Sequence, residues 1–403
     1  MDNIMELAGR FALPGAVASA APFGNGHINS TYLLSIEGAK EQFILQRINS
    51  YVFVRPREVM ENMLHITEYL QARIREEGGD PDRETIRLIP SLNGEPWVED
   101  GEGEVWRVML CVPDTVSPQL PDDLGVLEEC GKAFGCFSRR LLRYPAETLH
   151  ETIVDFHNTP ARLQQLEDAA AEDACGRLKD VAEEMAFARA REAETRVLTE
   201  KLAAGRLPLR VTHNDTKVNN VLLDRKTGKA VCVIDLDTVM PGLLAYDFGD
   251  AIRVGACSAE EDERDLGKIR LEMPKYSAFA RGFLGEIRSE LDEEELLSLE
   301  AGARLMTLEN GLRFLADHLK GDKYFRIHRP GQNLDRARAQ FALLQDMEDH
   351  QQEMRDALMQ MSCRRNPRAG ENPGFRRNRD SRKDNARGRF FRRTCTHWRE
   401  GNR

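Results

Sequence analysis

The sequence predicts an α+β chain in two lobes, a small β-rich lobe at the N-terminal end followed by a larger, mainly helical one. Three observations predict it. Short strand-like runs bounded by turn residues fill the first 113 residues, apolar residues at helical spacing dominate from Leu124 onward, and one hairpin pattern interrupts the helices. The expected boundaries are 1–113 for the first lobe, 114–361 for the second and 362–403 for a tail of different composition.

In chain order, the turn Gly24-Asn25-Gly26 leads into a strand over 31–36, and another strand follows over 42–48. Arg55-Pro56-Arg57 opens a helix carrying Glu58 and Glu61, because proline is tolerated in a helix's first turn. Residues 88–91 and 106–112 read as two strands around Asn93-Gly94, and the run from Pro113 to Pro118 breaks the pattern. Helical spacing begins at Leu124 and continues through an acidic, alanine-rich stretch over 160–204. Residues 221–223 and 230–234 form the hairpin, with its turn over 224–229. Ser258-Ala259-Glu260-Glu261 reads as a capping box, and long helices are expected near 273–287, 292–320 and 333–361. The tail, rich in Arg, Asn and Gly and poor in aliphatic residues, is expected to be disordered.

The net charge of −10 hides an asymmetry. Thirteen Arg and one Lys against four carboxylates give the stretch from Cys363 onward +10, so the first 362 residues hold −20. An acidic body argues against nucleic acid as a substrate and suits a neutral or cationic small molecule. No run approaches the length of a membrane span. The small-residue stretch over 11–21 mimics a secretory signal, yet Asp2 and Glu6 precede it with only Arg10 as a basic residue, so a cytoplasmic start is expected; the chain is also expected to act as a monomer. The eight cysteines show no paired metal-ligand spacing, which points to free thiols in a reducing compartment.

The chemistry-bearing residues cluster at His213-Asn214-Asp215-Thr216-Lys217-Val218-Asn219-Asn220 and at Val233-Ile234-Asp235-Leu236-Asp237. Phosphoryl transfer leaves little covalent chemistry to a protein. It needs a proton acceptor beside the acceptor hydroxyl and oxygen ligands for magnesium on the nucleotide. Asp215 suits the first task, and Asn220 and Asp235 suit the second, because magnesium takes oxygen donors in few geometries. The hairpin between them would return Asp235 to Asn220. Asp237 is a candidate for a further ligand or for orienting the others. Read separately, the same residues are turn-formers and a strand end.

These segments, with 22–32, 43–49, 152–159 and Tyr246-Asp247-Phe248-Gly249-Asp250, resemble the aminoglycoside phosphotransferase and choline kinase superfamily. Its members share the bilobal protein-kinase architecture and phosphorylate small molecules. The flanking segments are similar to N-acetylhexosamine 1-kinases, from about Phe11 to about Met361. The resemblance implies ATP and Mg2+ as cofactors and a small-molecule sugar as substrate.

It also implies roles for particular residues. Gly24, Asn25 and Gly26 would bring backbone amides to the nucleotide's phosphates. The next strand should offer a lysine to those phosphates but carries Gln46 and Arg47; Arg47 could serve only if the register shifts by one, which turns a strand side chain to the other face. Glu58 or Glu61 could orient a basic partner. Cys111 and Val112 would present their backbone to the adenine edge, and Asp247 would brace the catalytic loop. His27, Arg313 and Tyr324 would contact the acceptor; without the resemblance Arg313 reads as a surface helix residue and Tyr324 as a packing residue. Asp155, His157, Asn158 and Arg162 read equally as acceptor contacts or as cap and turn residues.

Overall fold

A computed structural model describes residues 4–24, 29–118 and 123–363. The helix α1 (Ile4–Ala8) precedes an antiparallel sheet of β1 (Val17–Pro22), β2 (Ser30–Ile36), β3 (Gln42–Arg47), β4 (Leu88–Ile89), β5 (Val98–Glu99) and β6 (Val105–Leu110). The strands lie in the order β1-β2-β3-β6-β4, with β5 also paired to β6. Strand alternation gives the sheet two faces. Leu34, Phe43, Leu45, Trp106 and Val108 on one face close a small core with Leu7 and Phe11. The opposite face carries Gln46 and its register partner Arg107.

That second face meets α2 (Pro56–Glu76), which starts at a proline and buries Val59, Met60, Met63, Ile66, Leu70 and Ile74. These residues belong to the same core as much of the helical half of the molecule. The short α3 (Pro81–Glu84) and β7 (Thr115–Val116) lead to α4 (Leu124–Leu141), which Asp123 caps by accepting from the Gly125 N–H at 2.7 Å.

The acidic stretch expected to be helical over 160–204 is broken into α5 (Thr159–Glu172), α6 (Ala182–Arg189), α7 (Glu192–Thr195) and α8 (Val197–Ala203). The first break falls where Asp173 turns to a left-handed φ of 39°. Strand β8 (Arg210–Thr212) then leads into the 213–220 loop, followed by the hairpin β9 (Val221–Asp224) and β10 (Ala230–Val233), and by β11 (Met240–Gly242), which pairs back to β8.

The remaining helices are α9 (Leu244–Gly255), α10 (Met273–Ile287), α11 (Glu293–Leu319), α12 (Gln332–Asp349) and α13 (Gln351–Cys363). The helix α9 crosses α11 where Gly249 meets Gly302. A Cβ on Gly249 would sit 2.3 Å from the Gly302 carbonyl oxygen, so only glycine permits this approach. The capping box expected at 258–261 does not open a helix. Ser258 Oγ instead accepts from the Arg270 N–H at 2.8 Å and donates to the Lys268 carbonyl at 2.7 Å, pinning a loop. Among the described residues no helix is long and apolar enough to cross a membrane. The thiols of Cys111, Cys130, Cys136, Cys175, Cys232 and Cys257 are free. The tail lies outside the described residues.

Candidate active site

The loop after β8 is fixed by hydrogen bonds to its backbone. Asp247, in the first turn of α9, accepts from the N–H groups of His213 at 2.9 Å and Asn214 at 2.7 Å. Burial pushes its carboxyl up, while those two amides and His213 favour its ionised form. The His213 ring spans the loop: Nε2 lies 2.9 Å from the Ile234 carbonyl, and Nδ1 accepts from the Asp215 N–H at 3.3 Å. Asn214 has a left-handed φ of 64°, and its side chain is tied to Thr212 and to the Thr238 carbonyl. The bracing expected of Asp247 is therefore present. Asp250 pairs with Arg253 in the buried base of the same helix.

Asp215 emerges from this frame with an ionised neighbour. Burial raises the cost of its charge most, but the Lys217 ammonium at 2.8 Å, with the charges of His213 and Arg253, outweighs burial and holds the carboxyl below the usual range. Asn220 donates from its amide nitrogen to the Asp215 carbonyl at 2.8 Å and to Asp215 Oδ2 at 3.2 Å. That orientation leaves Asn220 Oδ1 without a donor among the described residues.

The hairpin does return Asp235 to Asn220, because the Ile234 N–H donates to the Asn220 carbonyl at 2.9 Å. Asp235 has φ 62° and keeps an accessible carboxylate that accepts no hydrogen bond among the described residues. Crowding by the surrounding protein, then the charges of Asp237 and Asp215, raise its pKa to about 6. Asn220 Oδ1 and the Asp235 carboxylate thus offer hard, unused oxygens beside a surplus of negative charge, a donor set that fits magnesium completed by phosphate oxygens.

Asp237 is already committed. The Arg107 guanidinium forms a buried ion pair with Asp237 Oδ1, and Asn29 donates to Oδ2 at 2.7 Å. Arg107 also donates from Nε to Gln46 Oε1 at 3.0 Å and packs on the sulfurs of Met60 and Met63. This overturns the expectation for Arg47. It pairs with Ser30 and Trp106 across β2 and β6, on the face turned to the small core, and its charge acts on Asp100. The cleft-side cation is Arg107, one strand away. Its sequence signal is a lone arginine inside the apolar run Val105–Leu110. Glu58 pairs with Arg55 at 2.9 Å and Glu61 with His150 at 2.8 Å, and neither reaches this cation.

At the chain crossing near 111–118, the Cys111 N–H is used by the Gln42 carbonyl at 2.9 Å, and the Val112 carbonyl accepts from Thr115 Oγ1 at 2.9 Å. Among the described residues the Val112 N–H finds no acceptor and the Cys111 carbonyl no donor, so these two backbone groups remain for the expected contact. Gly24 sits exposed at φ 78°, suited to a tight turn. Asn25, Gly26 and His27 lie outside the described residues.

On the helical side, the Arg313 guanidinium carbon lies 5.2 Å from the Phe156 ring centroid and 5.3 Å from that of Phe325, and no carboxylate pairs with it among the described residues. Tyr324 is half-exposed and packs edge-on against Phe325 at 4.8 Å. Burial, then the charge of Arg313, push the Arg162 guanidinium down, so the two cations face common ground. Asp155 and Asn158 take turn and cap roles; Asn158 accepts from the Ala161 N–H and donates to Asp155. His157 is buried and contacts the catalytic loop directly.

Fold and site together define a phosphotransferase of kinase-like architecture. The family model described as the phosphotransferase enzyme family (APH) matches residues 19–281, and the chain belongs to that family. Solved structures share the fold at low identity. An aminoglycoside phosphotransferase from Alicyclobacillus acidocaldarius superposes with a TM-score of 0.55 at 14% identity, covering 89% of this chain and 95% of that one. A choline/ethanolamine kinase family protein from Mesorhizobium loti gives 0.52 at 15%, covering 88% and 98%. Spectinomycin phosphotransferase, in complex with ADP and spectinomycin, gives 0.51 at 13%, covering 84% and 96%.

Proposed function

We propose that the protein transfers the terminal phosphoryl group of ATP to the anomeric hydroxyl of an N-acetylhexosamine. The observation that carries the transfer is the convergence of Asp215, Asn220 and Asp235, with Asn220 bonded to Asp215 and the strand before Asp235 bonded to Asn220. Asp215, kept ionised by Lys217, accepts the hydroxyl proton as the new bond to phosphorus forms. Asn220 and Asp235 would hold magnesium, which would offset charge on the nucleotide phosphates. Lys217 lies where it can balance negative charge developing near Asp215.

The acceptor assignment rests on the resemblance to hexosamine 1-kinases and on Arg313, Tyr324, Phe156 and Phe325. Aromatic faces and an unpaired guanidinium suit a neutral sugar bearing hydroxyl and carbonyl acceptors. The rival acceptors in the same fold are choline and aminoglycosides. The acidic body favours such cations, whereas Arg162 and Arg313 together repel them at this wall.

An ADP-release assay over N-acetylhexosamines, other sugars, choline and aminoglycosides decides between them. An anomeric phosphate no longer opens to an aldehyde, so ATP-dependent loss of reducing ends with N-acetylglucosamine or N-acetylgalactosamine is expected. ADP release with reducing ends retained would overturn the 1-kinase assignment, and release with cationic acceptors alone would replace it.

A further inference from the structure

Helix α11 buries a carboxylate that the transfer chemistry does not use. Glu309 is fully buried, with Oε1 2.7 Å from His157 Nδ1 and Oε2 accepting from Thr159 Oγ1 at 2.7 Å. The other ring nitrogen of His157, Nε2, lies 3.2 Å from the carbonyl of Asn214, the residue before Asp215. A carbonyl can only accept, so Nε2 carries hydrogen, and a second proton must lie between Nδ1 and the Glu309 carboxylate. The ring packs against Phe156 and Tyr246, with centroids 4.5 Å and 5.2 Å away and the planes tilted by 39° and 45°. Phe156 is the ring beneath Arg313, which stands one helical turn after Glu309 on α11.

We propose that His157 and Glu309 form a buried positioning couple that ties α11, and with it the acceptor wall at Arg313, to the Asn214 carbonyl beside Asp215. Asn214 is the left-handed residue of the loop, so its peptide orientation sets where the Asp215 carboxylate points. Asp247 fixes the two N–H groups of this stretch from α9, and His157, in the turn before α5, fixes the carbonyl. Without His157 the carbonyl side of the peptide loses its donor and Asp215 is aimed less sharply at the acceptor hydroxyl. A small misplacement of a reacting group lowers turnover strongly while leaving distant binding intact.

The inference rests on Asp215 as proton acceptor but not on which acceptor is used. The test therefore uses MgATP with N-acetylglucosamine or, if that sugar is inert, the panel member that the wild-type protein consumes. His157→Phe keeps a ring in the stack and removes both polar contacts; kcat is expected to fall at least tenfold, with nucleotide affinity within about twofold and acceptor KM within about threefold. Glu309→Gln can still meet Nδ1 and Thr159, and is expected to retain at least a third of wild-type kcat.

Because His157→Phe alone strands the buried Glu309 carboxylate, the double variant His157→Phe/Glu309→Leu is decisive. Replacing both partners by apolar groups should restore the melting temperature lost in His157→Phe, as such paired replacements do. Turnover should stay at least tenfold down. Turnover that returns with the melting temperature, or a wild-type kcat in His157→Phe, would overturn the positioning role. Loss of turnover in these variants alongside full turnover in Asp215→Asn would instead remove Asp215 from the chemistry.

Discussion

Asp215 and Asp235 are two carboxylates in one cleft with opposite surroundings. Asp215 has an ammonium at 2.8 Å and an amide on its Oδ2, and its charge is favoured. Asp235 has no donor among the described residues and two carboxylates as neighbours, and its charge is opposed. The difference teaches that the charge of the first is balanced as it stands, whereas that of the second is left to be balanced by a cation from outside, such as the magnesium proposed above. The two ends of one hairpin thus obey different electrostatics.

The largest effect that would break this comparison is at Asp215. Asp215→Asn keeps the shape and the hydrogen bond from Asn220 but cannot take the hydroxyl proton. Turnover is expected to fall roughly a hundredfold or more, with nucleotide affinity held, measured by steady-state kinetics and calorimetry.

At Asp235 the sign of the pH effect is the sharper probe. Its carboxyl is protonated in the folded, metal-free protein up to about pH 6, while the unfolded chain releases that proton near the ordinary aspartate range. Metal-free stability is therefore lost as pH rises between those values, and the loss is complete above about pH 6. Asp235→Asn should raise the metal-free melting temperature at pH 8, make no difference at acid pH below both values, and at pH 8 strongly weaken the magnesium-dependent part of nucleotide binding. An unchanged melting temperature at pH 8 would show that its carboxylate is balanced by a partner.

Arg107→Met tests the neutralised third carboxylate. Removing one member of a buried ion pair costs about 3–5 kcal/mol, and adding Asp237→Asn should recover much of it, read by denaturant unfolding of the single and double variants. The smallest effect is expected at Arg313→Ala, on the acceptor wall. It should raise acceptor KM by about tenfold, as loss of one hydrogen bond from a charged group does, with nucleotide affinity unchanged.

The parts of this site that were legible in the sequence are close together in the chain. Asp215, Asn220 and Asp235 fall within 21 consecutive residues joined by a hairpin whose turn residues are evident. Asp247 follows shortly after. Arg107 was hidden because its partners Gln46 and Asp237 lie 61 and 130 residues away, and only the β3–β6 register aligns it with Gln46. The same pairing turns Arg47 to the small core, which no local pattern reveals. Glu309 is similar. An acid inside an apolar helix face is visible, but its partners come from the turn before α5, about 150 residues earlier. At Ser258 the local reading failed because its hydroxyl serves a contact 10–12 residues away in place of the helix end it could have capped.

Both Asn214 and Asp235 occupy left-handed backbone, a region in which side chains other than glycine, asparagine and aspartate are strained by roughly 1–3 kcal/mol. Each position must therefore satisfy a conformational demand and a chemical one with the same residue. At Asp235 glycine meets the first alone, asparagine meets the first with a weaker ligand, and glutamate, though it carries the charge, meets only the second. The alphabet open to this position shrinks to very few letters, and an alanine scan there would report backbone discomfort and ligand loss as a single number. Asparagine separates the two, and a glycine variant that melts higher than asparagine would measure what the fold gives up to place any side chain in that left-handed turn.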